Sequence, residues 1–162
     1  MDLDIDVNSW PKGEWEQLAV RAADAVHGVE PLLANPRLSA SLLFTSDAEV
    51  LVLNSEWRGR NKPTNVLSFP MLAREALQSL ATEGPPELLG DIALAHETCA
   101  REAAEKTIPL EHHVAHLIVH GLLHLAGHDH VESDVQAEAM ERLEIEALAR
   151  MGIRDPYGDR NL

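Results

Sequence analysis

Three histidines, His116, His120 and His124, recur at four-residue intervals through the mostly apolar stretch from Val114 to Ala126. An α-helix puts every fourth side chain on one face, so the spacing predicts a helix over 109–126 bearing a stripe of imidazoles. Pro109 suits the first turn of that helix, and Gly127 suits the left-handed position just past its last. Two further histidines, His128 and His130, follow within the same short stretch, in the run HGLLHLAGHDH at 120–130.

Such a cluster points to a bound metal ion, and helix geometry limits which members can share it. Eight residues of helix span about 12 Å, whereas zinc holds nitrogen at roughly 2.0–2.1 Å. His116 therefore cannot join a site built on His120 and His124. Those two form the i, i+4 pair found in zinc enzymes, and the third ligand must come from chain that has turned back. Gly127 supplies the turn, and His130 completes a three-histidine set with a coordination position left for water. His128 is the alternative third ligand. Asp129 and His128 are also candidates to support a ligating imidazole through a hydrogen bond, and a solvated Asp129 is the plainer alternative. Between the pair stands Gly121, where H-E-x-x-H peptidases carry a glutamate general base, which argues against a peptidase. A glycine there serves either close approach by another segment or substrate, or simple helix packing.

Charge narrows the ligand class. Thirteen Lys and Arg against 27 Asp and Glu give a net charge of −14, which argues against binding of nucleic acid through the whole surface. A polyanion must be met locally, and the place is WRGRNKPTNVLSFP at 57–70, where Arg58, Arg60 and Lys62 occur with no acidic residue. A solvated basic loop is the competing explanation.

The remaining chain supports one α+β domain over 1–162, with a small mixed sheet of about four strands packed on helices. Strands are expected at 38–45, 66–69 and 88–95, and another at 3–7. Helices are expected at 14–27, from a Ser46–Glu49 capping box to near Gly59, at 97–106, and from a Ser133–Gln136 box to Gly152. Residues 82–87, with Gly84, Pro85 and Pro86, read as a loop. No run of 18 apolar residues and no basic, apolar leader occurs, so a soluble cytoplasmic protein without a membrane partner is expected. The single cysteine, Cys99, cannot form an internal disulfide and reads as a small buried hydrophobe rather than a nucleophile.

These motifs resemble those of the YbeY-type rRNA maturation factors. HGLLHLAGHDH resembles the family signature H-G-x-L-H-L-x-G-Y-D-H, and WRGRNKPTNVLSFP resembles the second block, with Arg58 at the family's functional arginine. LLGDIALA at 88–95 and the stretch from Met140 to Tyr157 resemble the following strand and the closing helix with its Pro-Tyr tail. His128 departs from the family's usual tyrosine. The resemblance implies metal ligands at His120, His124 and His130, a four-stranded sheet with the metal-binding helix near its centre, and one zinc or another divalent ion per chain. It implies a single-strand-specific endoribonuclease acting on rRNA, at the small-subunit 3′ end and in ribosome quality control, with the ribosome and its basic proteins as partners. Arg58 would stabilise phosphate charge, Arg60 and Lys62 would steer the strand, and His116 would contact substrate, shuttle a proton, or simply pack. The alternatives are a ribosome assembly factor with structural zinc, closed by Asp129, His128 or Cys99, and a zinc hydrolase of another substrate class.

Overall fold

The computed structural model describes residues 1–59, 64–129 and 133–158. Strand β1 (Asp2–Val7) leads to helix α1 (Trp15–Val29), which returns the chain so that β2 (Leu38–Thr45) pairs parallel to β1. Parallel neighbours need a crossover of this kind. Helix α2 (Asp47–Arg58), β3 (Val66–Pro70), α3 (Arg74–Ser79) and β4 (Glu87–Ala95) follow, then α4 (His96–Lys106), α5 (Leu110–Leu125) and α6 (Asp134–Arg150). The sheet order is β1-β2-β4-β3, with β4 parallel to β2 and β3 antiparallel to β4 at one edge. This is a single small α+β domain with a four-stranded mixed sheet, as the sequence leads one to expect.

Strand periodicity divides the sheet into two faces. Leu38, Ala40, Leu42 and Phe44 of β2, with Ile92 and Leu94 of β4, enter the main core beneath α1, α5 and α6. Leu43, Leu67, Phe69 and Ala93 face the other way, toward Val50 and Leu53 of α2. Helix α5 packs against α1, α4, α6, β3 and β4, which is why its apolar residues are buried on several sides. Gly121 sits at the sheet contact, where an added Cβ would lie 2.9 Å from Ile92 Cδ1. Helix packing thus makes use of its small size.

The helix ends follow local chemistry. Ser46 and Ser133 cap α2 and α6 by accepting from the Glu49 and Gln136 amides at 3.2 and 3.1 Å. At the end of α5, Gly127 has φ +98, its amide donates to the His124 carbonyl, and the His128 amide reaches the Leu123 carbonyl. Those two bonds define a Schellman stop. Two elements carry no clear signal in the sequence, the six-residue α3 and a 3₁₀ turn over Pro31–Ala34. No helix among the described residues is long and apolar enough to cross a membrane.

Candidate metal centre

His116, His120 and His124 lie on one face of α5, at the border between core and solvent, and α6, β3 and the tail reach in to hold them. From α6, Glu144 meets two of them at once. Its Oε1 accepts from His116 Nε2 at 2.7 Å, and its Oε2 accepts from His120 Nδ1 at 2.9 Å. The Tyr157 hydroxyl donates to the same Oε1 at 2.5 Å, and its ring stands edge-on to His116 with centroids 5.4 Å apart. Glu144 is fully buried. Burial alone would push its carboxyl up, but the hydrogen bonds from His116 and His120 outweigh burial and hold it at about 2. From β3, Ser68 brings its Oγ to 2.5 Å from His124 Nδ1.

Both members of the helical pair are therefore gripped through Nδ1. A carboxylate only accepts, so this contact calls for a hydrogen on His120 Nδ1, which would leave Nε2 for a metal. His124 fits the same role when its Nδ1–H donates to Ser68. Carboxylate and hydroxyl partners behind ligating imidazoles are the usual support of a histidine metal site. On this test His120 and His124 carry the support that ligands of a divalent ion need. Among the described residues no three potential ligands converge on one point. The expected third ligand, His130, lies outside the described residues, as do Arg60, Lys62 and the Arg58 side chain; the Arg58 backbone closes α2.

His128 is drawn elsewhere. Its Nε2 meets the buried Glu30 Oε1 at 2.9 Å, and Arg74 Nη1 joins the same oxygen at 2.6 Å and the Ala126 carbonyl at 2.7 Å. This cluster pins the turn that leaves α5. Asp129 follows, half-buried. Cys99 is buried on α4, its Sγ 3.7 Å from the Asn65 carbonyl, and burial with nearby Glu102 and Asp47 pushes the thiol up to about 12. It is neither thiolate nucleophile nor ready ligand at neutral pH.

Glu144, Tyr157, Ser68, Glu30 and Arg74 went unassigned in the sequence. Glu144 did leave a signal, because it stands four residues from both Met140 and Leu148 on the buried face of α6. An acid in the middle of an apolar helix face needs partners. Ser68 left none, since its contact with His124 joins positions 56 residues apart.

A groove of about 340 Å³ opens on the other face of the sheet, lined by Leu43, Leu53, Trp57, Phe69 and Met71 with Asp4, Asp6 and Asp91. Ser68 and Phe69 point to opposite faces of β3, so this groove is separate from the histidines. Its three carboxylates disfavour a phosphate backbone there.

Comparison with known proteins places the chain in a family. The profile of the family described as Endoribonuclease YbeY matches residues 4–152. A protein named endoribonuclease YbeY from Erythrobacter litoralis is 68% identical over 99% of both chains. Another of that name, from Novosphingobium aromaticivorans, is 53% identical over 97% of this chain and 95% of its own. A solution structure of a Thermotoga maritima protein superposes with a TM-score of 0.60 at 21% identity, over 98% of this chain and 91% of that one, and shares the fold.

Proposed function

Because the chain belongs to the endoribonuclease YbeY family, we propose that it hydrolyses phosphodiester bonds in single-stranded RNA at a zinc centre on α5. The observation that carries this reading is the paired anchoring of His120 and His124 through Nδ1, by Glu144 and Ser68. His120, His124 and His130 would hold the ion, which when bound supplies Lewis acidity toward water and a phosphoryl oxygen. Arg58 binds and neutralises the phosphate, since a guanidinium stays cationic and presents a planar fork of donors. Arg60 and Lys62 guide the flanking backbone of the strand. The wider role in this reading is cytoplasmic rRNA maturation at the small-subunit 3′ end and ribosome quality control, with basic ribosomal proteins met by the −14 surface.

A structural zinc would need a fourth protein ligand. Cys99 is buried on α4 and His128 is engaged by Glu30, which disfavours two of the three candidates for that ligand and leaves Asp129 as the remaining one. The test is metal content beside RNA cleavage. Arg58→Glu is expected to keep one zinc per chain and lose cleavage, and retained cleavage would remove Arg58 from the chemistry.

A further inference from the structure

We propose that Glu144, clamped by His116 and by Tyr157 of the C-terminal tail, is the positioning residue of the centre and fixes the Nδ1–H tautomer of His120. The inference rests on His120 being a ligand.

A neutral imidazole carries one ring hydrogen, and in water the Nε2–H form predominates. That form would present Nδ1, on the wrong side of the ring, to a metal on the solvent face. Glu144 Oε2 at 2.9 Å from Nδ1 selects the other form and orients the ring as well. The carboxylate can do this only if it is itself immobile. Its second oxygen is fixed by two donors, His116 Nε2 at 2.7 Å and the Tyr157 hydroxyl at 2.5 Å. His116 and His120 thus use opposite ring nitrogens around one carboxylate, and His116 acts as a brace one turn back from the ligand pair.

Tyr157 gives the tail a part in the device. After α6 stops at Gly152, with φ +75, the Tyr157 amide donates to Asp155 Oδ1 at 2.7 Å, a turn that brings the ring back onto α5 and α6. A tail serving packing alone would need the ring and not the hydroxyl. The hydroxyl ends on the buried carboxylate that holds a ligand, so its removal reaches the metal through two hydrogen bonds and without loss of apolar contact.

The experiment compares wild type, Tyr157→Phe, Glu144→Gln and His120→Ala by two readouts. Long-range ¹H–¹⁵N correlation spectra of the metal-free protein report the His120 tautomer, and competition with a chromophoric chelator reports zinc affinity. Wild type is expected to show Nδ1–H. Glu144→Gln, which places an amide donor against existing donors, should lose about 10–100-fold in zinc affinity. Tyr157→Phe should lose severalfold and show a mixed tautomer, with its melting temperature within a few degrees of wild type. An Nε2–H His120 in wild type overturns the inference, as does wild-type zinc affinity in Tyr157→Phe while His120→Ala loses it. Should wild type bind no zinc, the ligand reading falls, and the tautomer in wild type and Tyr157→Phe then judges the clamp alone. Should Glu144→Gln fail to fold, Tyr157→Phe decides.

Discussion

His120 Nδ1 stands 2.9 Å from Glu144 Oε2, and this bond joins the helix bearing the histidines to the helix that closes the fold. Stability and site geometry share that carboxylate. Glu144→Ala would leave three donors without their acceptor, and a buried donor left unsatisfied costs about 1–3 kcal/mol. Urea unfolding of the metal-free protein measures it, and a loss below about 1 kcal/mol would show that the network adds little.

Ser68→Ala separates the two roles. The hydroxyl meets His124 Nδ1 from β3, and its removal should cost about 1 kcal/mol of stability. Zinc affinity should fall by about tenfold, because His124 loses the partner that sets its ring. Chelator competition and thermal melting read both effects, and unchanged affinity would exclude Ser68 as a support.

Gly127→Ala tests the turn toward His130. The position has φ +98 and an added Cβ would lie 2.8 Å from Arg74 Cβ. A left-handed backbone costs a non-glycine residue about 1–2 kcal/mol, and the collision displaces the arginine that holds Glu30 and Ala126. We expect a loss of about 2 kcal/mol with weakened zinc binding, measured by urea melts and chelator competition.

Acid should weaken the fold through His113 and Glu102. His113 is buried, with Nε2 on Glu102 Oε1 at 2.8 Å and no described partner at Nδ1. Burial lowers its pKa, opposed by the Glu102 hydrogen bond, so the unfolded chain takes the proton first as pH falls through the ordinary histidine value of about 6.5. Burial would raise Glu102, but hydrogen bonds from His113 and Asn65 outweigh it and leave it lowered. Its contribution is present above the ordinary glutamate range and fades below about pH 4.3. Both groups make stability rise with pH. His113→Gln should flatten the difference between urea midpoints at pH 7.5 and 5.5, and an unchanged slope would assign it to other histidines.

What could be read in advance followed from local periodicity. The stripe on α5, the serine caps of α2 and α6, the Gly127 stop and the alternating strands are each set by residues close in sequence. Helix α3 has six residues and no side-chain cap, too little for a pattern to form. The supports of the histidines come from β3, α6 and the tail, and pairings across such separations follow from packing rather than from spacing. Glu144 lay between, visible as a misplaced acid on α6 but without a named partner. Arg58, Arg60, Lys62 and His130 remain the part of the site proposed from the sequence alone.

The most direct test of the central claim is cleavage of a defined single-stranded RNA by zinc-loaded wild type, with His124→Ala purified in parallel to exclude contaminating ribonuclease. Wild type is expected to bind one zinc per chain and cut the strand, and His124→Ala to lose the metal and at least about 100-fold in rate. Intact RNA with fully loaded wild type, or equal cleavage by the zinc-free variant, would contradict a hydrolytic centre on α5.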